Sequence, residues 1–332
     1  MANITVLGGG TWGVALALLL NSNGHNVTIW SALEKEINEL KDTHAHKGLP
    51  GAVIPDSFTY TLDPKEAATD KDLIIMAVAS SFTRATAKKF APFIKDGQHI
   101  VTVAKGIEES TLMTQSQIVE SEIPNAILAV LSGPSHAEEV SRMLPTTVVV
   151  GSDDIYNAEQ IADLFMRDVF RVYTSTDVLG IELGGSIKNV IALAAGISDG
   201  LGYGDNAKAA IITRGIAEMS RLGTAMGGQE ATFAGLTGIG DLIVTCDSMH
   251  SRNRRAGILI GQGKTMQEAM DEVQQIVEGV YSAKAAKALA DKYEISMPIV
   301  EQVNMVLFEG KTAQQAFNDL MGRERKNEIA KQ

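Results

Sequence analysis

Near the start of the chain, three glycines have a spacing with chemical meaning. The segment "ITVLGGGTWGVALALLL" has Gly8, Gly10 and Gly13 in the pattern G-x-G-x-x-G, after an apolar run typical of a strand and before one typical of a helix. Gly8 would permit a tight turn, Gly10 the approach of a pyrophosphate, and Gly13 close packing of helix on strand. The pattern therefore predicts a dinucleotide bound at the N–H groups that begin the helix. A later cluster, "GIGD" at 238–241, follows no predicted strand and is predicted to be a turn between helices.

A lysine without a partner on its own helix is the second chemical signal. Lys188 lies in the apolar stretch "GGSIKNVIALAAG", and the residues one turn away are glycine, isoleucine and alanine. No carboxylate on the same helix face can pair its charge. From these residues alone, Lys188 could extend its ammonium to water or could belong to an active site. The small neighbours Gly184, Gly185 and Ala192 would leave room for a ligand beside the ammonium.

Three arginines within the five residues "SRNRR" form the third signal. A planar guanidinium can bind two phosphate oxygens at once. The three side chains cannot all point the same way from a helix, so at least one is expected on the solvated surface. Arg252 is the favoured phosphate ligand, because Ser251 and Asn253 flank it as further donors. The alternative is a basic helix turn that balances acids such as Asp247.

The sequence predicts no metal site. His44 and His46 in "THAHKG" have no further Cys or His close by, so a surface loop is favoured over a metal site. Cys246 lies in an apolar segment and is predicted to be an unreactive part of the core. As the single cysteine, it rules out an internal disulfide and fits a reducing compartment.

The composition narrows the class of protein. The chain has 332 residues, enough for two domains, of which 45% are apolar and 21% charged, as in an ordinary soluble protein. Its net charge of −11 argues against general affinity for nucleic acid or anionic membranes. No signal-peptide pattern opens the chain, and no apolar run approaches the roughly 20 residues of a membrane span. We therefore expect a cytoplasmic protein that binds no nucleic acid and has no membrane span.

The elements that must position these residues follow from the hydrophobic pattern. The predicted strands are Ile4–Leu7, Val27–Trp30, Leu73–Ala77, Ile100–Val103, Ile127–Leu131, Thr147–Val150 and Phe170–Tyr173. Their alternation with helical patterns implies an α/β fold with a Rossmann-like, mostly parallel sheet. After about Asp177, alanine-rich stretches with helical periodicity replace the strands. We predict a dinucleotide-binding domain over 1–177 and an all-helical domain for substrate binding and catalysis over 178–332.

The choice of coenzyme stays open at this level. An acid that binds the ribose hydroxyls is expected roughly 20 residues after the glycines, at the end of the second strand. This strand ends in "TIWSALEK", which has Ser31 and Ala32 where an acid or a phosphate-binding cation would stand. Glu34 and Lys35 are nearby and have opposite charges. The residues therefore do not decide between NAD and NADP.

Several stretches together resemble the bacterial-type NAD(P)-dependent sn-glycerol-3-phosphate dehydrogenases. In the first half they are "GGGTWG" (8–13), "LPGAVIP" (49–55), "AKGIE" (104–108) and "LSGPSHAEEV" (131–140). In the second half they are "GSIKNVIALAAG" (185–196), "LTGIGDLIVTC" (236–246), "SRNRRAG" (251–257) and "IVEGV" (276–280). The similarity runs from about residue 3 to residue 322 in the family's order and spacing. It implies a dinucleotide-binding domain followed by a helical domain, and a homodimer.

The resemblance also implies roles for individual residues. Lys188 matches the catalytic lysine, Lys105 a second lysine that contacts cofactor and substrate, and Asp241 the acid that orients Lys188. The other implied substrate contacts are Gly133, Ser135, Asn189, Ser251, Arg252 and Asn253. The implied cofactor contacts are Gly8, Gly10, Thr11, Trp12, Gly13, Lys105, Ala137, Arg252, Ile276 and Glu278. Two positions depart from the family: Ala32 replaces a commonly cationic residue, and His136 stands where phenylalanine is frequent. His136 is interpreted as an aromatic filler, with added charge near the cofactor as the alternative.

These residues suit the reduction of dihydroxyacetone phosphate, which would supply glycerol phosphate for phospholipid synthesis. A lysine of ordinary pKa, about 10.4, is a reluctant acid and a scarce base at neutral pH. Burial or a neighbouring cation such as Lys105 would lower the pKa of Lys188, whereas Asp241 would oppose part of that shift. Two other functions remain open. One is a related 3-hydroxy-acid dehydrogenase, and the other is a non-catalytic NAD(P)-binding sensor.

Overall fold

Eight strands form one sheet in a computed structural model that describes residues 1–325 and 327–328. The strands are β1 (Asn3–Leu7), β2 (Asn26–Trp30), β3 (Thr59–Thr61), β4 (Leu73–Met76), β5 (His99–Thr102), β6 (Ile127–Ser132), β7 (Thr146–Gly151) and β8 (Phe170–Ser175). All seven predicted strands are confirmed. The sequence prediction missed β3, because its three residues, Thr-Tyr-Thr, contain no aliphatic run to mark a strand.

The order of the strands creates a crevice suited to a nucleotide. Across the sheet they run β3-β2-β1-β4-β5-β6-β7-β8, and every neighbouring pair is parallel except β6 and β7. The chain moves outward from β1 to β3 and then returns to place β4 on the other side of β1. In open α/β sheets, ligands bind beyond the carboxyl ends of the strands at such a switch point. The predicted mostly parallel, Rossmann-like sheet is therefore confirmed.

Helices cover the sheet and then form the rest of the described chain. In the first half they are α1 (Thr11–Ser22), α2 (Glu34–Thr43), α3 (Pro64–Ala68), α4 (Thr83–Phe90), α5 (Gln115–Glu122), α6 (Ala137–Val140) and α7 (Ile155–Phe165). In the second half they are α8 (Val178–Gly200), α9 (Asp205–Ala225), α10 (Glu230–Phe233), α11 (Asp241–Asp247), α12 (Arg252–Gly261), α13 (Met266–Val273), α14 (Glu278–Lys292), α15 (Pro298–Phe308) and α16 (Ala313–Met321). Of the predicted helical domain 178–332, residues 326 and 329–332 lie outside the described residues.

Helix α8 is the centre of the helical half. Asp177 caps its first turn by accepting a hydrogen bond from the Gly180 N–H at 3.0 Å. Residues 180–198 of this helix are all buried. By length and composition α8 could cross a membrane, but 89% of its most apolar window lies inside the protein. It is therefore a core helix around which the other helices pack.

Paired glycines bring α12 against α8. A Cβ atom added to Gly196 would lie 3.0 Å from the Gly257 Cα and 2.2 Å from the Arg254 carbonyl oxygen. One turn further on, a Cβ at Gly200 would lie 2.9 Å from the Gly261 Cα. The two backbones can approach this closely only because no side chain separates them. This packing holds the N-terminus of α12, with its arginine cluster, beside α8.

Candidate active site

The glycine turn between β1 and α1 has the geometry that a dinucleotide requires. Gly8 has a φ of +124°, and a Cβ there would lie 2.8 Å from the Ala77 carbonyl oxygen. A Cβ on Gly13 would lie 2.2 Å from the Gly8 carbonyl oxygen, so α1 packs directly on the strand. In contrast, a Cβ on Gly10 would meet no atom within 4 Å. Gly10 is the N-cap of α1 and supplies no side chain to cap it. The open space beside these uncapped N–H groups fits a pyrophosphate.

Lys188 lies in a buried charge cluster at the junction of the two halves of the chain. Its side chain is only 7% exposed. Its Nζ donates to Asp241 Oδ1 at 2.6 Å and to Thr245 Oγ1 at 2.6 Å. Lys105, from the loop after β5, donates to the other oxygen of the same carboxylate at 2.5 Å and to the Gly133 carbonyl at 3.1 Å. Asp241 therefore bridges two lysines.

The charges of this cluster tune one another. Burial, which disfavours an ammonium, lowers the pKa of Lys188 to about 8, with Asp241 opposing the shift and Lys105 adding to it. Burial also disfavours the Asp241 carboxylate, but the two lysines outweigh that effect and hold its pKa below the usual range. The cluster thus contains a permanent anion and an ammonium that can release its proton near neutral pH. Such a group suits acid and base catalysis.

A π-helical turn brings Asp241 to Lys188. Residues Leu236–Gly240 form this turn, which leads directly into α11. The turn contacts α8 at Gly184, where a Cβ would lie 2.7 Å from the Thr237 carbonyl oxygen. The prediction of a simple turn at 238–241 was therefore wrong in detail, because this segment continues as helix with wider hydrogen bonding. Such π turns are frequent at functional sites.

The two glycines before Lys188 are packed against other segments of the chain and leave no space for a ligand. Gly184 accommodates the π turn, and a Cβ at Gly185 would lie 3.0 Å from Ser132 Oγ and 3.5 Å from the Lys105 Cγ. The expectation that these glycines leave space for a substrate was therefore wrong. Their absent side chains let α11 and the Lys105 side chain approach α8 closely, so both lysines can reach Asp241.

The loop after β6 forms one wall of this site. Gly133 has a φ of +141°, and its carbonyl accepts hydrogen bonds from Lys105 Nζ at 3.1 Å and from Ser135 Oγ at 3.0 Å. His136 Nε2 lies 3.5 Å from the Val244 carbonyl oxygen. Burial and the charge of Lys188 lower the His136 pKa, which favours the neutral imidazole. Ala137 follows as the first residue of α6 and is half-buried.

The three arginines of the cluster differ in their surroundings. Arg254 is bound to Asp199 through its Nε and Nη2 atoms, at 2.9 Å and 2.8 Å. Arg255 is half-buried, and its Nε has no hydrogen-bond partner among the described residues. The Arg252 side chain is exposed and has no ion pair in the described part of the chain. Arg252 is therefore available to bind an anion, in contrast to Arg254.

The polar residues beside Arg252 are engaged with the protein itself. Ser251 is the buried N-cap of α12 and accepts a hydrogen bond from the Arg254 N–H at 3.2 Å. The Asn253 amide nitrogen donates to Asn189 Oδ1 at 2.9 Å, and its oxygen accepts from the Gly279 N–H at 2.8 Å. These bonds join α8, α12 and α14 and thereby hold the end of α12 in place.

Glu278 connects the helical half to the nucleotide-binding half. Its carboxylate accepts hydrogen bonds from the Ser80 hydroxyl and from the Ser80 N–H, the latter at 3.2 Å. Burial raises the Glu278 pKa, and the bonds from Ser80 oppose that shift. Ile276, two residues earlier, is half-buried. Thr11 and Trp12, both half-buried, begin α1 on the nucleotide side of the same cleft.

Comparison with known proteins identifies the family. The two models for NAD-dependent glycerol-3-phosphate dehydrogenase match the chain, the N-terminus model over residues 3–158 and the C-terminus model over 177–318. A glycerol-3-phosphate dehydrogenase [NAD(P)+] of Agathobacter rectalis is 63% identical over 329 residues, 99% of this chain and 98% of that protein. The chain belongs to the NAD-dependent glycerol-3-phosphate dehydrogenase family.

Further members of the glycerol-3-phosphate dehydrogenase family agree in sequence and fold. The Bacillus subtilis protein of the same name is 49% identical, covering 99% of this chain and 96% of its own. The crystal structure of a glycerol-3-phosphate dehydrogenase from Coxiella burnetii superposes with a TM-score of 0.93 at 37% identity, over 97% of this chain and 99% of that one. A D-mandelate dehydrogenase has a TM-score of 0.65 at 15% identity, which shows a shared fold alone.

Sequence reasoning missed two residues that contact the predicted site. Thr245 lies one helical turn after Asp241, so the i, i+4 spacing was the signal that could have placed it beside Lys188. Ser80 follows β4 at the carboxyl edge of the sheet, where ligand-binding residues gather. No local pattern, however, points from Ser80 to Glu278, because 198 positions separate the two residues.

The remaining candidates have no chemical role in this geometry. Cys246 is fully buried, and burial raises the pKa of its thiol to about 12, so it stays protonated and unreactive. His44 is exposed at the end of α2, whereas His46 is half-buried and contacts the Gly9 backbone of the glycine turn. Among the described residues, no group of three or more His, Cys, Asp or Glu side chains could hold a metal ion.

Proposed function

We propose that this chain interconverts dihydroxyacetone phosphate and sn-glycerol 3-phosphate with NAD(P)H, and that Lys188 is its general acid and base. The observation that carries the proposal is the buried Lys188–Asp241–Lys105 cluster. Its Lys105 follows β5 at the carboxyl end of the parallel strands, the same end at which the glycine turn follows β1. The relatives named glycerol-3-phosphate dehydrogenase [NAD(P)+] support the reaction. They use either coenzyme by name, so we propose both at this level.

Lys188 supplies the proton that reduction of the ketone requires. A bound reduced nicotinamide would supply the hydride that the carbonyl carbon needs. The new alkoxide then takes a proton from the Lys188 ammonium, and the neutral amine regains a proton from solvent. With a pKa of about 8, most Lys188 side chains are charged at pH 7, so the donor form predominates. In the opposite direction, the neutral amine accepts the proton of the alcohol.

Asp241 and Lys105 prepare Lys188 for this task. The Asp241 carboxylate holds the Lys188 Nζ at 2.6 Å and keeps a cation stable in a buried position. The Lys105 ammonium destabilises the charge of Lys188 and so favours release of the proton. We further propose that Lys105 helps to polarise the substrate carbonyl.

Arg252 is the proposed clamp for the substrate phosphate. It is exposed, and a guanidinium can bind two phosphate oxygens at once. The other proposed substrate contacts are Gly133, Ser135, Asn189, Ser251 and Asn253. The proposed cofactor contacts are Gly8, Gly10, Thr11, Trp12, Gly13, Lys105, Ala137, Arg252, Ile276 and Glu278.

The wider role is also part of the proposal. The product would supply glycerol phosphate for phospholipid synthesis, in the cytoplasm and from a homodimer of this chain. We propose the division into units 1–177 and 178–332, since β8 ends at Ser175 and α8 begins at Val178. The net charge of −11 and the single buried cysteine fit the proposed compartment.

A substrate comparison tests the function. Oxidation of NADH and NADPH is followed by absorbance with dihydroxyacetone phosphate and, separately, with short 3-keto acids. Turnover with the phosphorylated ketone and little with the keto acids is the expected result. Preference for the keto acids would instead indicate a hydroxy-acid dehydrogenase. Coenzyme binding without turnover of any substrate between pH 6 and pH 9 would indicate a sensor.

A further inference from the structure

A carboxylate in the segment that follows β2 lies over the glycine turn. Glu36, in the first turn of α2, folds back over the glycine turn. A Cβ on Gly9 would lie 2.9 Å from Glu36 Oε2 and 3.0 Å from its Cδ. The carboxylate is thus in direct contact with the loop that the adenosine half of a dinucleotide crosses in this fold.

Ser31 holds the Glu36 side chain in this position. Its hydroxyl donates to Glu36 Oε2 at 2.5 Å and accepts a hydrogen bond from the Leu33 N–H at 3.1 Å. Ser31 is buried at the end of β2, so the pair is anchored to the sheet rather than to a mobile surface. Ser31 therefore binds Oε2 of Glu36, and Oε1 accepts no hydrogen bond from any of the described residues.

We propose that Glu36 accepts a hydrogen bond from a ribose hydroxyl of the coenzyme, that Ser31 orients it, and that the chain selects NAD(H) over NADP(H). The proposal rests on the proposed function, and it specifies which of the two coenzymes that reaction uses. A carboxylate at this position binds the adenosine ribose hydroxyls, whereas the 2′-phosphate of NADP would bring further negative charge against it.

The cations around Glu36 do not offset that repulsion. The chain has no arginine before Arg84, and Arg84 is bound to Glu108 and Glu122. Among the described residues, no side chain forms an ion pair with Glu36. His46 lies against the backbone of Gly9, and burial lowers its pKa, so the imidazole is largely neutral at pH 7 and above.

Two lysines lie close to Glu36 and His46 along the chain. Lys35 and Lys47 are both exposed, and neither has an ion pair in the described part of the chain. An exposed ammonium in water interacts weakly with a phosphate compared with a buried or bidentate partner. A fixed carboxylate in the pocket therefore outweighs two solvated lysines in the choice of coenzyme.

Direct binding measurements test the proposal without relying on turnover. Trp12 and Trp30 lie at the glycine turn and at the end of β2, so quenching of their fluorescence reports binding of NADH and of NADPH. We expect the wild-type Kd for NADH to be about tenfold or more below that for NADPH. Equal affinities, or tighter binding of NADPH, would overturn the proposal before any variant is made.

Three variants assign the preference to its residues. Glu36→Gln keeps the shape but removes the charge, and should shrink the ratio of the two Kd values about tenfold. Ser31→Ala should shrink it less, because the carboxylate remains but loses its orientation. Glu34→Gln is the matched control: it removes an exposed carboxylate from the same helical turn and should leave the ratio unchanged. An unchanged ratio in Glu36→Gln, with a thermal melting temperature like that of the wild type, would overturn the role of Glu36.

The binding data also separate this proposal from the proposed function. A strong preference for NADH without reduction of dihydroxyacetone phosphate would contradict the reaction while supporting Glu36 as the selector. Reduction of dihydroxyacetone phosphate with equal affinity for NADH and NADPH would support the reaction and contradict Glu36 as the selector. If neither NADH nor NADPH binds, both proposals are contradicted.

Discussion

Asp241 and Glu218 are both buried carboxylates of the helical half, but their surroundings shift the pKa in opposite directions. Burial alone would raise both values. At Asp241, two lysines at 2.5 and 2.6 Å reverse that effect and hold the pKa below its usual range. At Glu218, burial dominates and raises the pKa to about 7, with backbone N–H groups and more distant arginines opposing it only in part.

The difference shows what a helix terminus can and cannot do for a buried anion. Glu218 lies on α9 and accepts hydrogen bonds from the Ile299 and Val300 N–H groups at the start of α15, at 2.9 and 3.3 Å. These N–H groups satisfy the hydrogen bonding of the Glu218 carboxylate, but they do not return its pKa to the usual range of a glutamate. At Asp241, the ammonium charges of Lys105 and Lys188 do overcome the effect of burial and lower the pKa. The cluster with Lys188 is therefore suited to proton transfer, whereas Glu218 is suited to joining two helices.

The largest effect on activity is expected from removing Lys188, the lysine that Asp241 binds. Lys188→Ala should lower kcat for reduction of dihydroxyacetone phosphate by about a hundredfold or more, because placed acid and base groups typically contribute 10² to 10⁴ in rate. Binding of the coenzyme should change little, since Asp241 still pairs with Lys105. Initial rates and coenzyme titration measure the two quantities. As a control, Lys287→Ala removes a lysine from an i, i+4 pair on α14 and should leave kcat unchanged. Near-normal turnover in Lys188→Ala would refute the assignment.

The second largest effect on activity is expected from Asp241→Asn, which removes the charge pairs that distinguish Asp241 from Glu218. In the wild type, kcat/KM for reduction should fall as pH rises through about 8, because Lys188 loses its proton, and oxidation should rise through the same pH. Asp241→Asn removes the anion that favours the ammonium, so the pKa of Lys188 should fall by about one to three units.

At pH 7.5, reduction by Asp241→Asn should therefore fall by about three- to two-hundredfold, because a smaller fraction of Lys188 is protonated, and oxidation should suffer less. Profiles of kcat/KM against pH in both directions supply the measurement. If the limb near pH 8 stays in place in this variant, Asp241 does not set the acidity of Lys188. Glu218→Gln, which removes a carboxylate from the same half of the protein, should leave the profile unchanged.

The smallest effect on activity is expected at Glu218 itself, where the consequence is for stability. Its folded pKa, about 7, lies above the unfolded value of 4.5, so the native state retains a proton that the unfolded state releases. Its contribution to the free energy of unfolding is therefore lost as pH rises from 4.5 to 7, by about 3 kcal/mol in all. Glu218→Gln should remove that part of the pH dependence.

Urea denaturation at pH 5 and pH 8 tests this expectation. The difference in unfolding free energy between the two pH values should change by about 3 kcal/mol between wild type and Glu218→Gln. The kcat should stay within about twofold, because the residue lies outside the cluster. An identical difference in both proteins would show that Glu218 titrates normally in the folded state.

Much of the fold could be predicted from the sequence because its signals are local. Each of the seven predicted strands is a short apolar run, and the glycine spacing of 8–13 requires only the strand before it and the helix after it. The strand β3 escaped prediction because it forms by pairing with β2 at the sheet edge rather than through its own pattern. The π turn escaped it because glycine-rich segments are compatible with several backbone forms.

Less of the candidate site than of the fold could be predicted from the sequence. A lysine in an apolar helix without a partner was visible in the sequence, and so was an arginine cluster. Its partner Asp241 was implied only by the family resemblance. No local pattern points to it, because Asp241 lies 53 positions from Lys188 and 136 from Lys105. The glycines before Lys188 were interpreted as space for a ligand. In the structure they are occupied by the π turn and by Lys105.

The sequence by itself determined the α/β architecture, the glycine turn, the change to helices after Asp177 and the presence of a lysine without a partner on its own helix. These follow from periodicity and residue type along one segment. Only the tertiary structure brings the Asp241 carboxylate to the Lys188 ammonium, leaves Arg252 without an ion pair among the described residues, and lays Glu36 over the glycine turn. The physical reason is that each of these depends on close packing between segments remote in sequence, as where Gly184 admits the π turn and Gly9 admits Glu36.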